Sequence, residues 1–570
     1  RPDLYSISMK LFKNIKKWFE NQEHLFYLFL IILIVPNIVL CFTEPLSLAA
    51  KICNVLLPFS IYYIVMTWSR NCGKTFWLLF PFLFFGAFQL VLLSLFGQSI
   101  IAVDMFLNLV TTNSSEALEL LDNMAPAIVL VVILYIPALA LATISIVRKR
   151  NLSEDFIHRE RRRAWRVLAI GILSLAAAYL LDDRYEPESE LYPVNVCYNV
   201  GLAFQRTAMT QRYHTTSKDF VYHARNTHPA DKREVYIVVV GETSRACNWS
   251  LYGYGRNTNP ELSEIDGLTA FNHVLTESNT THKSVPMLLS PVDAHSFDSI
   301  YYQKGIITAF KEAGYRTAFF SNQRYNHSFI DFFGKEADTF DFIKEDVDDS
   351  NYNPSDEELL KLVEAELAKG ATKQFIVLHT YGSHFNYRER YPSSRAFFLP
   401  DAPVAAELKY KDNLVNAYDN SIRYTDYFLA RLISMLQAQN VDAAMLYTSD
   451  HGEDIFDDSR HLFLHASPVP SYYQIHVPFL IWMSHSYRQT YPLIQKAVQA
   501  NRQKNISSSA SFFHTMLGIG GIETTHRNDS LSVACSLFTE KPRVYLNDHN
   551  KALPLDDIGM SKEDFQRFDF

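Results

Sequence analysis

Cysteine is scarce in this chain, six in 570 residues, and no Cys-x-x-Cys pair occurs. That excludes a cysteine-ligated zinc module and a dense disulfide framework. Cys41 and Cys53 fall in apolar stretches and Cys72 in a short loop. Cys197, Cys247 and Cys535 lie beyond them, so at most one disulfide is available there, and none is demanded. Charge is thin as well: Asp, Glu, Lys and Arg make up 20% of the chain, with a formal balance of −8. The basic footprint that phosphate backbones require is missing, so no nucleic-acid partner is expected. There is no internal repeat.

Five apolar stretches occupy the first third, at about Leu25–Phe42, Ala49–Trp68, Thr75–Phe96, Ala125–Val147 and Trp165–Leu181. Each is long enough, or nearly so, to cross a bilayer as a helix. Pro36, Pro58, Pro81 and Pro137 interrupt them, which membrane helices tolerate. Lys10, Lys13, Lys16 and Lys17 flank the first, Arg70 and Lys74 follow the second, and eight Lys or Arg residues from Arg148 to Arg166 follow the fourth; Gly97–Asn123 has neither. The positive-inside rule then predicts a cytoplasmic N-terminus and an external chain after Leu181. The first helix is expected to serve as the export signal, without cleavage. Arg1–Ser8, upstream of Met9, support no fold argument.

Three sections are expected: a five-helix membrane domain over 9–182, a bridging segment with interfacial helices over 183–233, and a catalytic domain over 234–570. In the last, apolar strands alternate with amphipathic helices: strand Tyr236–Val240, helix Ile306–Ala313 and strand Thr317–Phe320, helix Asp356–Leu367 and strand Phe375–Leu378, helix Leu429–Gln437 and strand Ala443–Tyr447, then strand Val477–Met483. That alternation predicts an α/β fold with a mostly parallel sheet covered by helices.

Glu242, His379 and the pair Asp450-His451 all stand at strand carboxyl ends, the edge where open α/β sheets bind ligands. Carboxylates and imidazoles meeting on tight turns suit a dication such as zinc. An Asp-His turn is also an ordinary solvated turn; the convergence of several such ends favours a site. The hydroxyl-rich run Ser278-Asn279-Thr280-Thr281-His282-Lys283-Ser284 leads into a helical stretch, where a dipole and a metal would activate a hydroxyl. These residues by themselves do not choose between Thr280 and Thr281. His384 and His465 stand on loops just past the same strand ends.

The motifs Val240-Gly241-Glu242-Thr243-Ser244-Arg245, Leu251-Tyr252-Gly253-Tyr254 with Arg256, Ser284-Val285-Pro286-Met287, His379 with Gly382-Ser383-His384, Ser449-Asp450-His451-Gly452-Glu453, Leu464-His465 and Gln474-Ile475-His476-Val477-Pro478 together resemble the bacterial lipid A phosphoethanolamine transferases of the alkaline phosphatase/sulfatase superfamily. The resemblance implies that Glu242, Thr281, Asp450 and His451 hold zinc, one ion with a second conceivable at the histidines, and zinc rather than manganese. It selects Thr281, three residues before the Ser-Val-Pro run, as nucleophile. His384 and His465 would bind the donor's phosphate and assist proton transfer. Asn108, Thr112 and Glu116 match the family's Asn-x3-Thr-x3-Glu element; a spacing of four sets them on one helix face, suited to a zwitterionic headgroup. The implied partners are the membrane, phosphatidylethanolamine as donor and lipid A or a related glycolipid as acceptor, handled by a monomer in the inner membrane with a periplasmic catalytic domain; the implied outcome is lipopolysaccharide modification and polymyxin resistance.

The chain departs from the family at Glu277 and Met287, where many relatives carry cysteines around the nucleophile loop. Three other readings compete with the transferase: a glycerol-phosphate transferase, an inactive scaffold or sensor, and a hydrolase, which would not need five helices. A lipoteichoic acid synthase-like glycerol-phosphate transferase shares the helices and the threonine but does not account for Asn108/Thr112/Glu116 or the His384/His465 pair. A catalytically inactive scaffold or sensor predicts decayed ligands, yet all expected ligands are present. The Cys/Ser-x-Pro-x-Arg context of a modified sulfatase nucleophile is absent.

Overall fold

The computed structural model describes residues 14, 16–96, 100–111, 125–345 and 353–568. Its opening helices are α1 (Gln22–Thr43), α2 (Leu48–Met66), α3 (Cys72–Leu78), α4 (Phe80–Phe96), α5 (Val103–Thr111), α6 (Ala125–Val147), α7 (Glu154–Leu181) and α8 (Val194–Gln211). Two compact units emerge, one of Arg1–Ala102 with Leu121–Leu202, the other of Val103–Leu120 with Ala203–Phe570.

In the first unit α1, α2, α6 and α7 are long and apolar enough to cross a membrane, and α3 with α4 makes a fifth such span if the bent pair counts as one. The single run expected over Thr75–Phe96 is bent by 61° where the two helices meet. Pro81 accounts for the break: it has no amide to donate back to the preceding turn, so it sits in the first turn of a new helix. α2 lies along α7 and α3 along α6. Glycine permits both approaches, since a Cβ on Gly73 would stand 2.2 Å from the Ala142 carbonyl oxygen and one on Gly171 2.8 Å from Ser60 Oγ. The fifth expected span starts earlier than hydropathy suggests. α7 begins at Glu154, capped by Ser153, and its first turns are charged.

The second unit is built on seven strands: β1 (Glu234–Gly241), β2 (Leu268–Ala270), β3 (Arg316–Ser321), β4 (Thr339–Phe342), β5 (Lys373–His379), β6 (Asp442–Ser449) and β7 (Phe479–Met483). Their order across the sheet is 2-7-6-1-5-3-4. Only β7 runs against the rest, pairing antiparallel with β6 and β2, so the sheet is mixed and mostly parallel. β1 and β6 are buried along their whole length, as expected of strands with uninterrupted apolar centres, Val235–Val240 and Ala443–Tyr447, covered on both faces. One apolar core packs on each face. Register brings three strand ends level at the centre: Val240 opposite His379 and Gly241 opposite Ser449.

Two further helices frame the site, α9 (Thr281–Leu288) and α10 (Lys411–Ala438). α10 is three times longer than the Leu429–Gln437 segment that its apolar spacing predicts. Its first sixteen residues bury Asn416, Asp419, Asn420, Ser421 and Asp426, which reads as loop composition. These side chains anchor neighbouring loops. Asp419 receives Asn248 Nδ2 at 2.7 Å and Arg256 Nη1 at 2.9 Å, and Asp426 accepts the amides of Glu261 and Leu262. All six cysteines are free.

Candidate metal centre and nucleophile

β1 and β6 deliver the acidic side chains. Glu242 follows the last residue of β1, and Asp450 and His451 follow the last residue of β6. Because the two strands are neighbours in parallel register, their ends meet. One ligand atom from each of Glu242, Asp450 and His451 lies within 4.8 Å of the others, and all three residues are buried.

His451 Nδ1 lies 2.9 Å from the Gly452 carbonyl oxygen and must donate to it. That leaves the lone pair on Nε2. Nε2 faces Asp450 Oδ2 at 3.2 Å, Glu242 Oε1 at 3.5 Å and Thr281 Oγ1 at 3.1 Å. With both carboxyls ionised, as a bound dication requires, only the threonine can donate a proton. Asp450 Oδ2 is buried with no hydrogen-bond partner among the described residues, while its Oδ1 takes the amides of Thr243 and His451 at 3.1 and 2.7 Å. Three electron-pair donors thus face one another out of water, and among the described residues no Lys or Arg side chain bonds any of them. This is the donor set and the charge deficit that a small dication satisfies.

The electrostatics agree. Burial, reinforced by the Asp450 charge, pushes Glu242 up to about 8. Burial pushes Asp450 up to about 7 and His451 down to about 4, the latter helped by His465.

Thr281 opens α9 and its hydroxyl lies 3.4 Å from Glu242 Oε1. Thr280 is the extended residue before it, and its hydroxyl lies 3.1 Å from Ser278 Oγ instead. The geometry therefore separates two threonines that composition left equivalent. Glu277 is buried at the foot of this loop, accepting the Ala294 amide at 2.7 Å and Ser507 Oγ at 2.6 Å. Burial raises it to about 7. Those two bonds fasten the loop at the position where the family resemblance implies a cysteine.

His465 lies beside His451 with the rings tilted by 36° and their centroids 4.2 Å apart, and the His384 centroid lies 5.9 Å from that of His465. His465 Nδ1 pairs with Glu453 Oε2 at 3.2 Å, and Tyr387 donates to the other oxygen of Glu453. His384 Nδ1 donates to the Phe385 carbonyl at 2.6 Å. Burial lowers both histidines, His465 to about 4. They are neutral imidazoles beside the metal-capable group, suited to hold phosphate oxygens or receive a proton. His379 does not join them: its Nδ1 faces Ser321 Oγ at 3.2 Å. Asn108 lies in α5, whereas Thr112 and Glu116 lie outside the described residues.

Two partners escaped sequence reasoning. Thr243 adopts φ 58°, a left-handed conformation costly for a β-branched residue, which turns its amide onto Asp450 while its hydroxyl donates to Glu242 Oε1 at 2.7 Å. Gln323, on the loop after β3, donates to Glu242 Oε2 at 3.1 Å and to the Thr380 carbonyl at 3.0 Å. No local pattern marks either; the Val-Gly-Glu-Thr run was the nearest signal.

Comparison with known proteins gives three findings. Residues 234–522 match the family described as Sulfatase. Phosphoethanolamine transferase EptA of Salmonella typhimurium is 31% identical over 305 residues, 52% of this chain and 55% of that protein; the match thus spans about half the length of such relatives. Among solved structures, the C-terminal periplasmic domain of EcEptC from Escherichia coli, in complex with Zn, aligns with a TM-score of 0.54 and 25% identity, covering 60% of this chain and 97% of that one. The integral membrane phosphoethanolamine transferase EptA of Neisseria meningitidis shares the fold over 89% of this chain and 98% of its own, with a TM-score of 0.68 at 22% identity.

Proposed function

The chain belongs to the sulfatase family, and from that premise we propose that it is a zinc-dependent phosphoethanolamine transferase of the bacterial inner membrane. One observation carries the reading: a threonine hydroxyl at a helix start meets a buried Glu-Asp-His group that no Lys or Arg side chain among the described residues neutralises. The names of the relatives and the apolar helices ahead of the catalytic domain support it. The donor is phosphatidylethanolamine and the acceptor lipid A or a related envelope glycolipid.

Zinc held by Glu242, Asp450, His451 and Thr281 would lower the pKa of the threonine hydroxyl and offset charge on the phosphoryl oxygens. One ion suits this donor set, and the Zn of the Escherichia coli domain supports zinc over manganese. Thr281 Oγ1 attacks the phosphorus, the bond to the diacylglycerol oxygen breaks, and that oxygen takes up a proton. A phosphoethanolamine-threonine results. An acceptor oxygen then attacks the same phosphorus and frees Thr281. His384 and His465 hold the phosphoryl oxygens and relay the proton, with Glu453 stabilising His465 when it is charged. Asn108, Thr112 and Glu116 take the donor headgroup, with Glu116 toward its ammonium. Membrane, bridging and catalytic roles divide over 9–182, 183–233 and 234–570. The N-terminus is cytoplasmic and the catalytic domain periplasmic, from the excess of Lys and Arg flanking the helices.

The test is mass spectrometry of the purified protein after incubation with phosphatidylethanolamine vesicles, then with lipid A. The expected products are a phosphoethanolamine adduct on Thr281 and, after the acceptor is added, modified lipid A. Thr281→Ala should carry no adduct. An adduct on that variant, or none on the parent protein, would sink the assignment.

A further inference from the structure

Lys283 stands two residues beyond Thr281 in α9, and its side chain is buried. The ammonium meets Asp104 Oδ2 at 2.6 Å and donates to the Asn547 carbonyl at 2.9 Å. Asp104 is the second residue of α5. Its other oxygen lies 3.4 Å from His282 Nε2 and 3.8 Å from Arg206 Nη1. Arg206 also donates to the Asp548 carbonyl at 2.7 Å, and the Asp548 carboxylate accepts the Val103 amide at 3.2 Å. The first turn of α5 is therefore fastened to the helix that starts with the nucleophile, through charges with little access to water.

Stability alone is a poor reason for such a pair. An apolar contact of equal volume usually holds two elements together as well or better, because both charges must be desolvated. A buried ion pair adds directionality: a carboxylate and an ammonium at 2.6 Å accept one axial and one rotational setting of the two helices, where methyl groups tolerate several. An acidic residue in the first turn of α5 also suits the helix dipole. Spacing connects this setting to the chemistry. Asp104 precedes Asn108 by four residues, as Asn108 precedes Thr112 and Thr112 precedes Glu116. Within α5 that spacing sets Asp104 and Asn108 on one helix face.

Resting on the reading that Asn108, Thr112 and Glu116 take the donor headgroup, we propose that Asp104 and Lys283 are a positioning pair that fixes α5 on α9 and so presents the donor phosphorus to Thr281. Neither residue touches the reacting atoms. Asp104 sets where the headgroup sits, and Lys283 ties that setting to the nucleophile's own helix. Phosphoryl transfer from a lipid needs such a link because the donor is large and is held some distance from its phosphorus, and a displacement of about 1 Å costs on the order of 100-fold in rate.

The experiment uses the full-length protein in nanodiscs containing phosphatidylethanolamine. Three proteins are compared with the parent: Asp104→Asn/Lys283→Gln, which removes both charges and strands neither, Lys283→Gln alone, and Lys283→Arg. Amide hydrogen exchange of the 103–111 segment, bound zinc, and kcat and KM for phosphatidylethanolamine are measured on each. The double variant should exchange about tenfold faster in 103–111. Its kcat should fall about 100-fold with a smaller change in KM, zinc stoichiometry should be unchanged, and Lys283→Arg should recover most of the rate lost in Lys283→Gln. Unchanged exchange in the double variant overturns the proposal, and so does faster exchange with undiminished transfer. Loss of zinc in parallel with loss of rate also overturns it, because that reports general damage to α9. A parent protein without transfer activity would defeat the transferase reading instead, and the exchange comparison would still report whether the pair fixes α5.

Discussion

Strand β1 opens on a buried glutamate and a second follows its last residue, and the two could hardly be treated more differently. At the amino end Glu234 receives Lys373 Nζ at 2.7 Å, Tyr315 Oη at 3.0 Å and Tyr491 Oη at 2.8 Å, with His228 Nδ1 at 3.0 Å. Despite the burial, these donors hold its carboxyl down at about 2. Just past the carboxyl end, Glu242 has Thr243, Gln323 and a shared contact with Thr281, and it faces Asp450. It is pushed up to about 8. Same residue type, same strand, same enclosure: what separates an anchoring carboxylate from a reactive one is the supply of positive charge around it. Glu234 has its cation built in. Glu242 and Asp450 together call for one from outside, which under the proposed function makes one sheet edge an anchor and the other a metal site.

The comparison can be broken most sharply by the same substitution at both ends. Glu242→Gln should remove a metal ligand, abolishing bound zinc and transfer, while thermal unfolding of the metal-free protein stays level or rises, because a like-charge contact with Asp450 is relieved. Glu234→Gln should do the reverse, lowering stability by about 3–5 kcal/mol by stranding the Lys373 charge and leaving zinc affinity per folded molecule unaltered. Zinc titration by calorimetry and thermal denaturation read the two effects separately. Equal loss of zinc in both variants would contradict the division.

A smaller effect should follow at the partner of Glu242. Gln323→Leu removes the donor to Oε2 and should weaken zinc binding about 10- to 100-fold without altering the secondary structure. Competition with a chelator of known affinity measures it; an unchanged affinity would mean that Thr243 alone orients Glu242.

The least dramatic difference is in pH dependence. The carboxyl of Glu234 is depressed in the folded state, below the unfolded value of about 4.3. The unfolded chain then binds more protons in that window, so stability rises with pH there. The contribution is complete above about 4.3 and is lost as pH falls toward about 2. Denaturant midpoints measured down this range should fall less steeply for Glu234→Gln than for the parent protein.

Much of the architecture was legible because periodicity and turn chemistry are local. Ile306–Glu312 ends where Gly314 takes φ 87°, and β3 follows, close to the pattern that the residues suggest. The apolar runs declare themselves by length alone, and the Asp450-His451 turn by its place after an uninterrupted strand. Where the reading fell short, a tertiary demand had overridden a local one. The amino-terminal part of α10 looks like loop because Asp419, Asn420 and Asp426 are polar, yet each is buried to satisfy amides or side chains of distant segments. The break between α3 and α4 was softened in the sequence by apolar residues on both sides of Pro81. Thr243 gives no warning of a positive φ, since nothing in its own chemistry favours one; Asp450, 207 positions away, accounts for it.

By itself the sequence determined which residue types stand at the strand ends and how many apolar helices precede them, because β and α periodicities and hydropathy are properties of short segments. Tertiary structure decided which of those ends meet. Parallel register between β1 and β6 brings Glu242 to Asp450 and His451, α9 turns Thr281 and not Thr280 toward them, and His379 is left facing Ser321. The physical reason is that a metal-capable group is defined by distances of a few ångströms between residues about 200 positions apart, and only the packed sheet fixes those distances.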